Sequence, residues 1–119
     1  MKNLARWSLV ALLLSACATS VSGTWTGRLN SPNKVGVRFV LDEKEGRLTG
    51  RVFWEDPVTL QFEPEGQLTG TNEGGNASWT TETNVQISGK FEGNTFVGTL
   101  VFPADGDEPS HSAELTLSR

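Results

Sequence analysis

The chain contains no tyrosine, one cysteine and one histidine, and its apolar residues never run on long enough to cross a bilayer. A single cysteine excludes an intrachain disulfide, so stability must come from a packed core. One histidine beside one cysteine is a poor ligand set for zinc, which favours nitrogen and sulfur donors. His111 also lies between Ser110 and Ser112. Neighbours on an extended segment point to opposite faces, so these three residues cannot assemble a nucleophile and base locally. The main apolar stretch, Trp7 to Leu14, falls well short of the roughly 20 residues of a membrane-spanning helix.

What is present at the start is an export signal. Lys2 and Arg6 open it, the apolar stretch follows, and Leu14-Ser15-Ala16-Cys17 closes it, which gives the three regions of a secretory leader. The last four residues resemble the lipobox of bacterial prolipoproteins. That resemblance implies cleavage before Cys17, a diacylglycerol on its sulfur and acylation of its new amino group. The competing reading is an ordinary secretory signal with the thiol left free. Each buried methylene contributes about 0.8 kcal/mol, so three acyl chains together would make the anchor effectively permanent. Ala18 stands where the inner-membrane retention signal has aspartate, which implies lipid anchoring at the outer membrane. The expected organisation is a signal peptide over 1–16, a lipidated N-terminus and short tether over 17–21, and one domain over 22–119.

Residues 17–119 keep eight of the ten basic groups and all fourteen acids, a formal charge of −6. No basic stripe interleaves with aromatics, so nucleic acid is disfavoured as a partner. Leu, Ile, Val and Phe number 24 in this part, enough for one modest core but not for a second packed layer.

Val35, Val37, Phe39 and Leu41 alternate with Gly36, Arg38 and Asp42, broken only by Val40, which is the period of a half-buried strand. The same period links Leu48, Gly50, Val52 and Trp54, then Leu60 and Phe62, Ala77 and Trp79, Val85 to Phe91, and Ala113 to Leu117. Between these segments lie short Gly- or Asn-containing stretches, Asp42–Gly46, Pro64–Gly66, Asn72–Asn76 and Glu92–Asn94, each read as a turn. Short connections make sequential strands antiparallel neighbours. The predicted fold is therefore an all-β, antiparallel up-and-down meander of eight or nine strands. Closure into a barrel would remove its two open edges, with a two-sheet sandwich as the alternative. Gly27, Gly50, Gly70, Gly89 and Gly98 fall inside strand patterns and suit the sharp coiling of a small barrel.

Gly23-Thr24-Trp25 on the first strand resembles the Gly-x-Trp signature that opens lipocalins, avidins and related calycin barrels, and Gly66–Thr71 is similar to an avidin strand. The resemblance implies that a basic residue from the last strand packs on that tryptophan, and Arg119 is placed to do so. Trp25 and Arg119 are thus the candidate barrel-end pair. The chain departs from the avidin pattern in having no tyrosine for a ureido group and only three tryptophans after residue 16. At about eight strands a barrel interior is filled by side chains or holds one small ligand. Trp25, Trp54 and Trp79 are accordingly core filler or a pocket wall.

Asp105-Gly106-Asp107-Glu108 with His111 is the densest group of metal-ligating residues, but its spacing is not that of an EF-hand and a solvated acidic loop explains it. Glu43 with Glu45, and Glu63 with Glu65, have the composition of a glycosidase pair, yet charges beside turns also guard strand edges. No catalytic residue, metal or cofactor is assigned. The function expected is a non-catalytic interaction module that is held on the membrane by Cys17 and engages another envelope protein. The alternative is a lipocalin-like carrier of one small apolar ligand. A short tether places one barrel end at the membrane and leaves the other free. Alternating connections then make Asn30, Asn33, Glu55, Asp56 and Asn72 the candidate contacts, with Glu43, Glu45 and Glu65 on the membrane side.

Overall fold

A computed structural model describes residues 20–30 and 34–119. They form eight strands: β1 Gly23–Asn30, β2 Gly36–Lys44, β3 Arg47–Glu55, β4 Phe62–Glu73, β5 Asn76–Thr81, β6 Gln86–Glu92, β7 Thr95–Phe102 and β8 His111–Ser118. Each pairs antiparallel with the next, and β8 returns to β1, so the sheet is a closed up-and-down barrel rather than a sandwich. Closure pairs every backbone edge internally, which is how a meander this small avoids offering a strand to other chains.

There are eight strands and not nine because Pro64-Glu65-Gly66 is no turn. Pro64 pairs with Phe53 and Gly66 with Val52, leaving Glu65 as the extra residue of a bulge within β4. Gly66 takes φ +144°, which a side chain rarely allows, so the glycine bends the strand instead of reversing it. Pro64 lacks an N–H and is tolerated at such an irregularity. The reversal occurs earlier, over residues 56–61, and Leu60 is consequently exposed in a turn instead of sharing a strand face with Phe62.

Phe39, Leu48, Val52, Trp79, Ile87 and Leu117, which the alternation put on the inner face, are fully inside, and Trp25, Phe96 and Leu100 join them. Aromatic rings run through the interior: Phe39 meets Trp79 at 5.2 Å, Trp79 meets Phe96 at 5.0 Å, and Phe91 meets both Phe96 and Trp25 at 4.8 Å. Glycine makes room for them. A Cβ on Gly70 would lie 2.0 Å from the Ser78 carbonyl oxygen and 2.5 Å from the Trp79 Cβ, so the indole can cross the neighbouring strand only because Gly70 has no side chain.

The barrel has two different ends. At the base are the tight reversals at 45–46, 74–75 and 93–94, the segment Ser20–Ser22 and the terminal Arg119. At the rim are Asn30 at the end of β1, Lys34 and Val35 before β2, and the longer connections 56–61, 82–85 and 103–110.

Candidate functional site

The base is closed by its own polar network. The Trp25 indole N–H donates to the Val21 carbonyl at 2.8 Å, and the Val21 N–H donates to Glu43 Oε1 at 2.9 Å. Asn72 Nδ2 donates to the other Glu43 oxygen at 2.9 Å, while Asn72 Oδ1 accepts from the Gly75 N–H at 3.1 Å. Arg119 Nη1 donates to the carbonyls of Ser20 at 2.8 Å and Ser22 at 3.1 Å. Its guanidinium carbon stands 4.7 Å from the Trp25 ring centre. Val21, read from the sequence as tether, is buried and belongs to the core. A depression of about 750 Å³ remains over Glu43, Asn72, Phe91 and Arg119, and the side chains of Glu43, Asn72 and Arg119 are already engaged, the first two with each other and the arginine with the Ser20 and Ser22 carbonyls.

The rim is built differently. Inward positions of β3 and β7 deliver Trp54 and Phe102, whose ring centres lie 5.9 Å apart, and His111 at the start of β8 stacks on Phe102 at 4.8 Å. These rings, Val85 and the carboxylates Glu65, Asp105 and Glu108 line a depression of about 650 Å³. Its outer wall, the β7–β8 loop, is pinned by reciprocal backbone bonds between Asp105 and Glu108 at 3.0 and 2.9 Å. Across the rim, Asp56 Oδ1 accepts from the N–H groups of Val58 and Thr59 at 2.7 and 3.1 Å and so shapes the turn before β4. That turn presents Val58, 88% exposed, and Leu60, 65% exposed.

Several sequence-predicted contacts move in role or place. Cys17 and Asn33 lie outside the described residues. Asn30 is exposed at the rim, with Nδ2 3.4 Å from Glu114 Oε2. Glu55 is at the rim but is committed to a two-pronged bond with Arg28, at 2.8 and 3.2 Å. Asp56 holds its own turn. Asn72 is corrected outright: β4 is continuous from Phe62 to Glu73, so the β4–β5 turn falls at the base and not with the rim loops. Glu65 is corrected in the opposite sense, because the bulge carries it to the rim depression. Trp25 and Trp79 are core, whereas Trp54 is half-buried and faces the depression.

The sequence pattern places Leu60 on a strand face with Phe62 and does not single out Val58 or Phe102. A turn near Asp56-Pro57 is expected from the sequence, but the turn runs on through Gln61 and β4 begins only at Phe62, which leaves Val58 and Leu60 in the turn. Among the described residues no group of three or more His, Cys, Asp or Glu side chains is placed to share a metal ion. No helix among them is long and apolar enough to cross a membrane. No protein-family profile, curated protein or solved structure matches this chain.

Proposed function

We propose that this protein is a bacterial envelope lipoprotein, held on the outer membrane by lipid at Cys17, whose barrel is a non-catalytic module that meets another envelope protein through its rim. Leu60 carries the reading. It is 65% exposed and takes φ +62°, a conformation that favours glycine or asparagine. Neither burial nor backbone preference accounts for a leucine there, and residues set against both are found where surfaces meet partners. Val58, still more exposed, stands in the same turn.

Two features of the barrel support this over the carrier alternative. The interior is occupied by Trp25, Phe39, Trp79, Phe91 and Phe96, so an apolar ligand is left the open depressions at the two ends and not an enclosed pocket among these rings. The base is tied to Ser20 and Ser22, and Cys17 precedes Ser20 by three residues, within about 11 Å along an extended chain. A lipid at Cys17 therefore sets the base against the headgroups and the rim away from them. Photo-activated cross-linkers placed singly at Val58, Leu60, Glu45 and Gly74 in cells test this. One discrete adduct from the two rim positions is expected; adducts from base positions alone would overturn it.

A further inference from the structure

We propose that the rim depression receives a lysine or arginine side chain of the protein partner, which rests on the rim being the contact surface. Trp54, Phe102, His111 and Val85 give it an apolar wall, and charge decides what that wall is for. Glu65, Asp105 and Glu108 line the same space, whereas no lysine or arginine does so among the described residues. Two further acids extend this side of the rim. Glu63 is exposed and paired in register with Trp54, and the Glu82 carboxylate lies beside Gly66.

Of the cations at this end, Lys34 is exposed outside the depression, and the two arginines are otherwise engaged. Arg28 is held by Glu55, and Arg38 lies over the Phe62 ring at 4.2 Å on the outer surface. An incoming ammonium or guanidinium group gains from the ring faces and the carboxylates together, while its methylene stem covers the apolar wall. An acidic side chain would be repelled, and an uncharged one would gain only the apolar part. The exposed Val58 and Leu60 at the same end suit apolar residues flanking that basic one.

The test is a titration of the nitrogen-15-labelled full-length protein in nonionic detergent, following the Trp54 indole N–H signal assigned with Trp54→Phe. The probes are a short apolar peptide carrying one central Arg, Lys, norleucine or Glu, and a free straight-chain diamine. The Arg and Lys peptides should bind at least about tenfold more tightly than the norleucine, Glu and diamine probes. That preference should shrink as salt rises. It should also vanish in the combined variant Glu65→Gln, Asp105→Asn, Glu108→Gln. The Asp105–Glu108 bonds are backbone bonds, so this variant keeps its loop.

Equal binding of the norleucine peptide, binding of the diamine as tight as that of the peptides, or no response at Trp54 would overturn the proposal. If cross-links form from Val58 and Leu60 while every peptide fails, the occupant is wrong and the contact surface stands. If the peptides bind as expected but cross-links arise only from the base, the contact surface is wrong and the proposal falls with it.

Discussion

The guanidinium of Arg119, the last residue, lies over the ring of Trp25 on the first strand, 4.7 Å from its centre, and donates to the carbonyls of Ser20 and Ser22. One side chain thereby joins the two termini of the barrel and caps a buried indole. Arg119 is itself exposed, so solvent screens its charge and its contribution is modest. Arg119→Ala is expected to lower stability by about 1–2 kcal/mol in urea unfolding, with Arg119→Lys between the two because an ammonium has no planar face to lie over the indole and no second nitrogen to reach Asn94 Oδ1. A loss below about 0.3 kcal/mol for the alanine variant would show that the cap is ornamental.

Trp25 and Trp79 are equally buried but differ in polar satisfaction. The Trp25 N–H reaches the Val21 carbonyl, whereas Trp79 Nε1 is buried without a hydrogen-bond partner. Trp25→Phe strips a buried carbonyl of its donor and opens a cavity. Trp79→Phe opens a similar cavity but removes an unsatisfied group. Trp25→Phe should therefore be the more destabilising by about 1–2 kcal/mol, measured by chemical unfolding of both variants. The reverse order would mean that the Trp79 N–H has a partner.

The barrel was legible because inward and outward residues alternate so regularly, and because a meander with short turns has one simple closure. Val37, Phe39, Leu41, Leu48 and Val52 keep their period through two strands without interruption. Strand number was not legible at Pro64–Gly66, since proline and glycine announce a bend without saying whether the chain reverses or bulges. That ambiguity propagated to the ends: a reversal there would have carried Asn72 to the rim and Glu65 to the base. The rim depression was hidden for another reason. Trp54, Phe102 and His111 lie on three different strands, and only their register brings the rings together. The pairing of Trp25 with Arg119 was accessible through a family resemblance, not through periodicity, because nothing local links the two.

Gly70 and Gly93 offer a controlled contrast between two uses of glycine. An alanine Cβ at Gly70 would sit 2.0 Å from the Ser78 carbonyl oxygen and against Trp79, backbone and core that cannot yield. At Gly93 nothing lies within 4 Å, and the obstacle is the φ of +60° alone. Gly93→Ala should cost about 1–2 kcal/mol and leave a cooperative fold. Gly70→Ala should cost well beyond that, about 3 kcal/mol or more, visible as loss of the native near-ultraviolet tryptophan spectrum at lower urea. Equal costs would mean that β4 and β5 separate more easily than their close approach implies.

The two ends of the barrel should respond differently to substitution. Ser20 and Ser22 are fixed by Arg119, and Val21 by Glu43, so in sequence only residues 18 and 19 separate a lipid at Cys17 from the part of the chain that the barrel holds. Cys17→Ser should move the exported protein from the detergent phase to the aqueous phase without changing its unfolding midpoint. Barrel substitutions should then sort by end once stability is held constant. Glu43→Gln and Asn72→Ala disturb the network that closes the base, so both should lower stability, and neither is a clean control for binding. Glu45 and Glu73 are exposed at the base, and their replacement by alanine is the neutral comparison. Val58→Asp and Leu60→Asp replace exposed apolar groups by charge, and Glu65→Lys reverses the rim field. Cross-linked partner yield should fall at least about tenfold for these three rim variants, matching roughly 1.4 kcal/mol or more of binding, and remain unchanged for Glu45→Ala and Glu73→Ala. Equal losses at both ends, or a loss confined to the base, would place the contact surface against the membrane and refute the orientation set by Ser20 and Arg119.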